Sequence, residues 1–150
     1  MNWGLYVRGD KVIVPTTAKA EAGYYLEVEP VEVVAKGDGP GIEKALLFAI
    51  ARGNARVPTP SREVLNRPVV PKHVGLKSYY AFERTAEAWH LSEDAGHWKV
   101  EYMPREKSGK GWVFDSKLAE VLPAGSDAVV ASRRLVELIQ TGCRPSGAGS

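Results

Sequence analysis

The strand patterns of this chain come in adjacent pairs joined by tight turns, and this pairing limits the possible folds more than any other feature. In GLYVRGDKVIVPTT, apolar residues recur at every second position on both sides of Gly9-Asp10, a dipeptide that favours a two-residue turn. Strands joined so closely are antiparallel, because a parallel connection needs about a dozen residues or more. The chain therefore begins with a predicted β-hairpin.

A second hairpin is predicted in EAWHLSEDAGHWKVEY. A turn at residues 94–95 would place Trp89 opposite Val100 and Leu91 opposite Trp98. Both tryptophans then lie on one face of the hairpin, which we expect to be the core face. The other face would carry His90, His97 and Lys99.

Between the hairpins, Pro30 interrupts the alternation in YYLEVEPVEVV. The apolar residues are Leu26 and Val28 before the proline and Val31 and Val33 after it, so the two-residue period changes parity there. We expect a bulge or strand break at the proline, which keeps both apolar halves facing the core. The acidic residues would then lie on the solvent side: Glu27, Glu29 and Glu32.

The first longer helix is predicted in GDGPGIEKALLFAIARG, with Pro40 near its start and Gly53 near its end. Its apolar stripe widens through Leu47 and Phe48, which indicates a largely buried helix. Two shorter helices are predicted after it. Thr59-Pro60 would cap a turn or two ending at Leu65, and Ser78 would begin another short helix, for which a strand is the alternative.

A second long helix is predicted from about Asp127 to Gln140, with Ser126 as its N-cap and Gly142 as its terminator. WVFDSKLAEVLPAG offers one more strand before it. Because the strands come in hairpins, the predicted fold class is α+β: a mainly antiparallel sheet built from hairpins, with two or three helices packed on one side. We expect one globular domain over residues 1–142 and a disordered tail over 143–150.

Composition agrees with a globular domain that needs no disulfide. The 150 residues are 44% hydrophobic and 25% charged, and the single cysteine has no partner for an internal disulfide. No stretch is apolar for long enough to cross a membrane, and the start lacks the pattern of a signal peptide. We therefore expect a cytoplasmic protein that does not bind membranes.

No motif for catalysis or for a cofactor is present. His90 and His97 would sit diagonally on one face, and no second ligand pair has the spacing of a structural zinc site. Cys143 follows a helix C-terminus, where the helix dipole opposes thiolate formation. KGDGPGIEK lacks the third glycine of a dinucleotide motif and the Lys-Ser/Thr pair of a P-loop. The sequence predicts no catalytic residue, no metal and no cofactor, and therefore a non-enzymatic binding protein.

The strongest feature outside the predicted elements is the segment ARGNARVPTPSREVLNRPVVPKHVGLKS, residues 51–78. Four prolines stiffen it, and Val64, Leu65, Val69 and Val70 are expected to anchor it on the core. Its cations recur every four to six residues: Arg52, Arg56, Arg62, Arg67, Lys72 and Lys77. This spacing suits either an acidic protein partner or a phosphate backbone, although no aromatic ring for stacking bases occurs between Phe48 and Tyr79.

In size, soluble character and lack of a catalytic motif, the whole chain resembles the small α+β immunity proteins of bacterial contact-dependent inhibition systems. Its Ala-, Arg-, Val- and Gly-rich usage also resembles that of high-GC bacteria. The resemblance implies an immunity protein that neutralises a cognate toxin domain, possibly a nuclease, by tight binding. The alternative is a nucleic-acid-binding accessory domain that uses the basic stretch from residue 52 to 77.

Two sets of residues are candidates for contacting the toxin. The acidic set would mimic phosphates against a cationic nuclease cleft and consists of Glu27, Glu29, Glu32 and Asp38. The basic set would serve if the toxin presents an acidic face and consists of Arg56, Arg62, Arg67 and Lys72.

Overall fold

Residues 1–147 are described by a computed structural model and are organised around one seven-stranded sheet. The strands are β1 (Asn2–Arg8), β2 (Lys11–Ala20), β3 (Tyr25–Ala35), β4 (Arg56–Val57), β5 (Glu87–Asp94), β6 (His97–Met103) and β7 (Ala119–Val121). The α-helices are α1 (Gly39–Ala51), α2 (Arg62–Leu65), α3 (Tyr79–Thr85) and α4 (Ala128–Thr141), and short 3₁₀ turns span Pro71–Val74 and Ser116–Leu118.

The strand order is β3-β2-β1-β5-β6-β7, and all neighbours in this path are antiparallel. The two-residue strand β4 pairs in parallel with the end of β2. The predicted α+β class, with a mainly antiparallel sheet built from hairpins, is confirmed.

The first hairpin has the predicted register, with Arg8 opposite Lys11 and Tyr6 opposite Ile13 around the Gly9-Asp10 turn. Its β1 strand then diverges from β2, and the side chain of Asn54 occupies the gap. Asn54 Oδ1 accepts a hydrogen bond from Asn2 N at 2.8 Å, while Nδ2 donates to Asn2 O at 2.8 Å and to Thr17 O at 3.1 Å. One amide therefore joins the two strands where the ladder ends.

The bulge predicted at Pro30 is present, but it does not change the parity of β3. Pro15 lies opposite Val31 and Thr16 lies opposite Val28, so β3 inserts two residues rather than one. With two extra residues, the alternation continues across the bulge. Glu27 consequently lies opposite Thr17 and Glu32 opposite Val14, on different faces of the sheet. The prediction that these two glutamates share a solvent face is wrong.

The second hairpin turns one residue later than predicted. The turn is Ala95-Gly96, so Leu91 lies opposite Val100 and Glu93 opposite Trp98. Ala95 and Gly96 both have positive φ, 51° and 82°, which is the conformation that a two-residue hairpin turn with matching strand twist requires. The two-residue change in register keeps every side chain on its predicted face, so Trp89 and Trp98 still share the core side.

The main core lies between one face of the sheet and helices α1 and α4. Trp3, Leu5 and Trp89 from the strands pack with Leu46 of α1 and Leu135 of α4. The Trp3 and Trp98 rings stack with centroids 5.7 Å apart. The sequence predicts two or three helices packed on one side of the sheet, and α1 and α4 are two of them.

The ends of the long helices differ slightly from the prediction. Asp38 caps α1 by accepting from Gly41 N at 3.0 Å. Asp127, not Ser126, caps α4 by accepting from Val130 N at 2.9 Å, and Gly142 ends α4 in the left-handed conformation as predicted. Phe48, which was expected to be buried, lies on the exposed side of α1.

A second, smaller core covers part of the opposite face of the sheet. Tyr6 and Ile13 project from that face and contact Phe82 of α3 and Val70 of the segment before it. Ser78 begins α3 by accepting from Ala81 N at 3.1 Å, which confirms the predicted helix over the strand alternative. The sequence pattern gave no indication of this second layer.

The chain after α4 returns to the sheet within the described residues. The Arg144 guanidinium lies 3.9 Å from the centre of the Tyr102 ring and 3.2 Å from Glu87 Oε1. Pro145 is buried, and Gly147 N donates to Lys117 O at 3.2 Å. The part of the expected disordered tail from 148 to 150 lies outside the described residues.

Candidate functional site

The basic segment forms an outer surface of the molecule, and its cations fall into two groups. Arg52 and Lys72 are paired: Arg52 lies 3.7 Å from Glu32 Oε1, and Lys72 Nζ lies 3.1 Å from Glu29 Oε1. Within residues 1–147, the side chains of the other four form no ion pair or hydrogen bond. These are Arg56, Arg62, Arg67 and Lys77.

Two of the four expected anchors of this segment are not anchors. Val70 is buried and Val69 packs against the smaller core, but Val64 is 58% exposed and Leu65 is 46% exposed. The helix that carries them also begins later than predicted: Ser61, not Thr59, caps α2, and α2 has only four residues. The Thr59 hydroxyl oxygen instead accepts from Ala22 N at 2.9 Å.

We call the exposed patch made of Arg62, Val64, Leu65 and Arg67 the α2 surface. It places two apolar side chains between two arginines that have no partner in the described part of the chain. Protein interfaces combine an apolar centre with a polar rim, and arginine is enriched in them. The geometry therefore fits a protein partner with apolar and acidic groups.

A cleft of about 480 Å³ separates the α2 surface from β3. Val64, Leu65 and Arg67 line one side, and Leu26 and Val28 line the other. Glu27 and Tyr79 also reach this cleft. Apolar walls with few polar groups are typical of sites that receive a side chain or a small ligand.

Glu27 is held at the inner side of this cleft rather than in solvent. Its Oε1 accepts a hydrogen bond of 2.9 Å from the Tyr6 hydroxyl, whereas its Oε2 is buried and has no partner among the described residues. Burial raises the pKa of Glu27 to about 7, against the smaller lowering by the Tyr6 hydrogen bond. The prediction that Glu27 lies on the solvent side is therefore wrong.

The other acidic candidates are engaged within the chain. Glu29 Oε1 lies 2.8 Å from His73 Nε2 and 3.1 Å from Lys72 Nζ, and these hydrogen bonds lower the pKa of Glu29. Glu32 pairs with Arg52, and Asp38 caps α1. The structure thus joins one member of the acidic set, Glu29, to one member of the basic set, Lys72. Contact of either set with a partner stays a prediction.

Two of the three histidines, His90 and His97, belong to the second hairpin. His90 lies opposite Glu101, with 3.7 Å between His90 Nδ1 and Glu101 Oε1. His97 is exposed at the hairpin end. In the part of the chain that the structure describes, no group of three or more His, Cys, Asp or Glu side chains is placed to hold a metal ion.

Sequence reasoning missed the cluster of rings beneath the basic segment. Trp112 packs against Tyr6 at 5.2 Å between centroids, and its Nε1 donates to Ala86 O at 3.2 Å. Tyr79 lies 6.4 Å from the same ring. The available signal was Trp112 itself, a large apolar ring placed directly after the polar stretch REKSGKG.

Among residues 1–147, no helix combines the length and the apolar character that crossing a membrane requires. No protein-family model matches the chain, and no curated protein matches its sequence significantly.

Two solved structures share the fold over nearly the whole chain. A protein of unknown function from Neisseria meningitidis has a TM-score of 0.64 and 13% identity, with 96% of each chain covered. A chain of the CdiA-CT/CdiI toxin and immunity complex from Yersinia pseudotuberculosis has a TM-score of 0.63 and 10% identity, covering 95% of this chain and 96% of that chain. At such identities the likeness establishes the fold alone.

Proposed function

We propose that this protein is a non-enzymatic immunity protein that binds a cognate toxin domain in the bacterial cytoplasm and blocks its activity. The observation that carries the proposal is the α2 surface, where exposed Val64 and Leu65 lie between Arg62 and Arg67. The fold likeness to a chain of a toxin and immunity complex supports the same conclusion.

The contacts favour the basic candidates over the acidic ones for this interface. Glu29 and Glu32 already face cations of this chain, Asp38 caps a helix and Glu27 is largely withdrawn from solvent. Arg56, Arg62 and Arg67 form no ion pair within residues 1–147. An acidic face on the toxin would pair with them, and opposite charges across an interface accelerate association.

The same arginines support the second candidate, a nucleic-acid-binding accessory domain. Phosphate contacts need cations, and three arginines without partners in the described chain are available. Val64 and Leu65 argue against this candidate, because exposed aliphatic side chains do not stack bases and contribute nothing to phosphate binding. Titration of labelled RNA and DNA at two salt concentrations tests it, and binding that is absent at low salt removes it.

The proposal predicts that a neighbouring gene encodes a toxin domain, and it is tested with that domain. Cells that express the toxin domain are expected to survive only when this protein is co-expressed, and the two proteins are expected to co-purify. A protein that neither protects the cells nor co-purifies with the toxin domain would contradict the proposal. Purified toxin assayed with and without this protein then shows whether binding alone blocks its activity.

A further inference from the structure

A second cavity lies on the same face of the sheet as Tyr6, away from the α2 surface. Strands β1, β5 and β6 form its floor, and the loop before β7 forms its wall with the rings of Trp112 and Phe114. The cavity measures about 580 Å³. This volume is within the roughly 300–1,000 Å³ of small-molecule sites.

The polar groups of this cavity converge on one buried carboxylate. Glu101 is 4% exposed, and its Oε1 lies 3.1 Å from Lys99 Nζ and 3.7 Å from His90 Nδ1. Burial acts to raise the pKa of Glu101, but the polar interactions with His90 and Lys99 outweigh it and the pKa is lowered. Glu101 is thus an ionised group whose charge is already matched inside the protein.

Of the two paired charges, Lys99 is the one that a ligand can reach, because Glu101 is buried beneath it. The Lys99 side chain is 38% exposed, and its ammonium group lies 5.4 Å from the centre of the Phe114 ring. Asn2 and Ser92 lie opposite each other on β1 and β5, and their side chains form no hydrogen bond with the rest of residues 1–147. They add neutral hydrogen-bonding groups beside the cation.

At Gly4, no side chain covers the backbone in the floor of the cavity. Gly4 lies opposite His90 in the middle of β1, and a Cβ built there would meet only the carbonyl oxygen of Trp89, at 4.0 Å. A glycine inside a strand commonly marks a place where another group approaches the backbone. A flat floor beside two aromatic side chains suits a planar ligand better than a branched one.

We propose that this cavity binds a small planar organic anion, whose ring packs over Gly4 against Trp112 and Phe114 and whose carboxylate or phosphate pairs with Lys99. Asn2 and Ser92 supply hydrogen bonds to its polar edge. The site is separate from the α2 surface, so it does not rest on the proposed toxin partner.

Two probes with the same ring and opposite charges test the proposal: 2-naphthoate and 2-naphthylmethylammonium. Each is titrated into the ¹⁵N-labelled protein and followed by NMR. We expect saturable binding of the anion, at least about tenfold tighter than that of the cation, with shifts at the amides of Gly4, His90 and Lys99. Equal affinity for both probes, or shifts located elsewhere, would overturn the proposal.

Two variants test separately how the bare backbone at Gly4 and the charge of Lys99 contribute to ligand binding. Gly4→Val adds a side chain that strands favour and fills the floor, so we expect a loss of naphthoate affinity of about tenfold or more. Lys99→Gln is expected to remove the preference for the anion while the ring still binds. Lys77→Gln, at an exposed lysine outside the cavity, is the matched control. A Lys99→Gln protein that still prefers naphthoate, or a folded Gly4→Val protein with unchanged affinity, contradicts the site.

Discussion

Thr17 and Glu27 face each other across β2 and β3, and each has one buried side-chain oxygen without a hydrogen-bond partner among residues 1–147. The ionised form of Glu27 is therefore poorly solvated, which agrees with a pKa raised to about 7. A group whose pKa is higher in the folded state than in the unfolded chain favours folding at low pH. That contribution to stability is lost as the pH rises from 4.5, the ordinary pKa of a glutamate, through about 7, the pKa of Glu27 in the folded protein.

Glu27→Gln is consequently expected to stabilise the protein at pH 8 by about 1–3 kcal/mol and to change little at pH 4. The uncharged amide avoids burying a carboxylate, while its oxygen still accepts from Tyr6. Urea unfolding at several pH values measures the difference. Glu63→Gln, at an exposed glutamate of α2, is the control for the loss of one negative charge. A variant whose stability follows the same pH profile as the wild type would refute this account of Glu27.

The amide of Asn54 is expected to be essential for joining β1 to β2. Asn54→Asp keeps the size of the side chain but replaces the donor that serves Asn2 O and Thr17 O with a charged acceptor. We expect a loss of about 2–4 kcal/mol in the free energy of unfolding, because two strand carbonyls lose their donor and face a carboxylate. Asn66→Asp, at an exposed position after α2, is expected to cost less than about 0.5 kcal/mol.

Ser132 has a buried hydroxyl group that forms no hydrogen bond within the described residues. The residue is 0% exposed on the core side of α4. Ser132→Ala removes the unsatisfied hydroxyl and introduces a better helix former, so we expect stabilisation by about 1 kcal/mol. Thermal unfolding measures it, and a clear fall in melting temperature would show that the hydroxyl is satisfied in solution.

Much of the fold follows from local sequence signals. The Gly9-Asp10 turn, the proline and glycine at the ends of α1 and the Gly142 terminator of α4 each act over a few residues, and the structure has all of them. The turn of the second hairpin differs because Asp94, Ala95 and Gly96 offer two adjacent turns. The Ala95-Gly96 turn is formed, with positive φ at both residues, and glycine adopts this conformation without steric cost.

The features that sequence reasoning could not reach depend on contacts between distant segments. Alternation alone does not give the number of residues in the bulge at Pro30, yet that number decides whether Glu27 faces solvent or Tyr6. The segment of Val64 and Leu65 has no repeating period, so its apolar residues gave no sign of which ones reach the core. The cavity over Gly4 combines three strands and a loop, and only the assembled sheet brings them together.

The α2 surface as the toxin-binding site is the central claim, and the affinity of an Arg62→Glu/Arg67→Glu variant for the toxin domain tests it most directly. Calorimetric titration is expected to show binding weakened by at least about 100-fold, since the two introduced glutamates would repel an acidic face that the arginines attract. Arg133→Glu, at an exposed arginine of α4 on the other side of the sheet, is expected to bind as the wild type does. Unchanged affinity in the double variant would contradict the claim and leave residues 51–78 as a connection between α1 and α3.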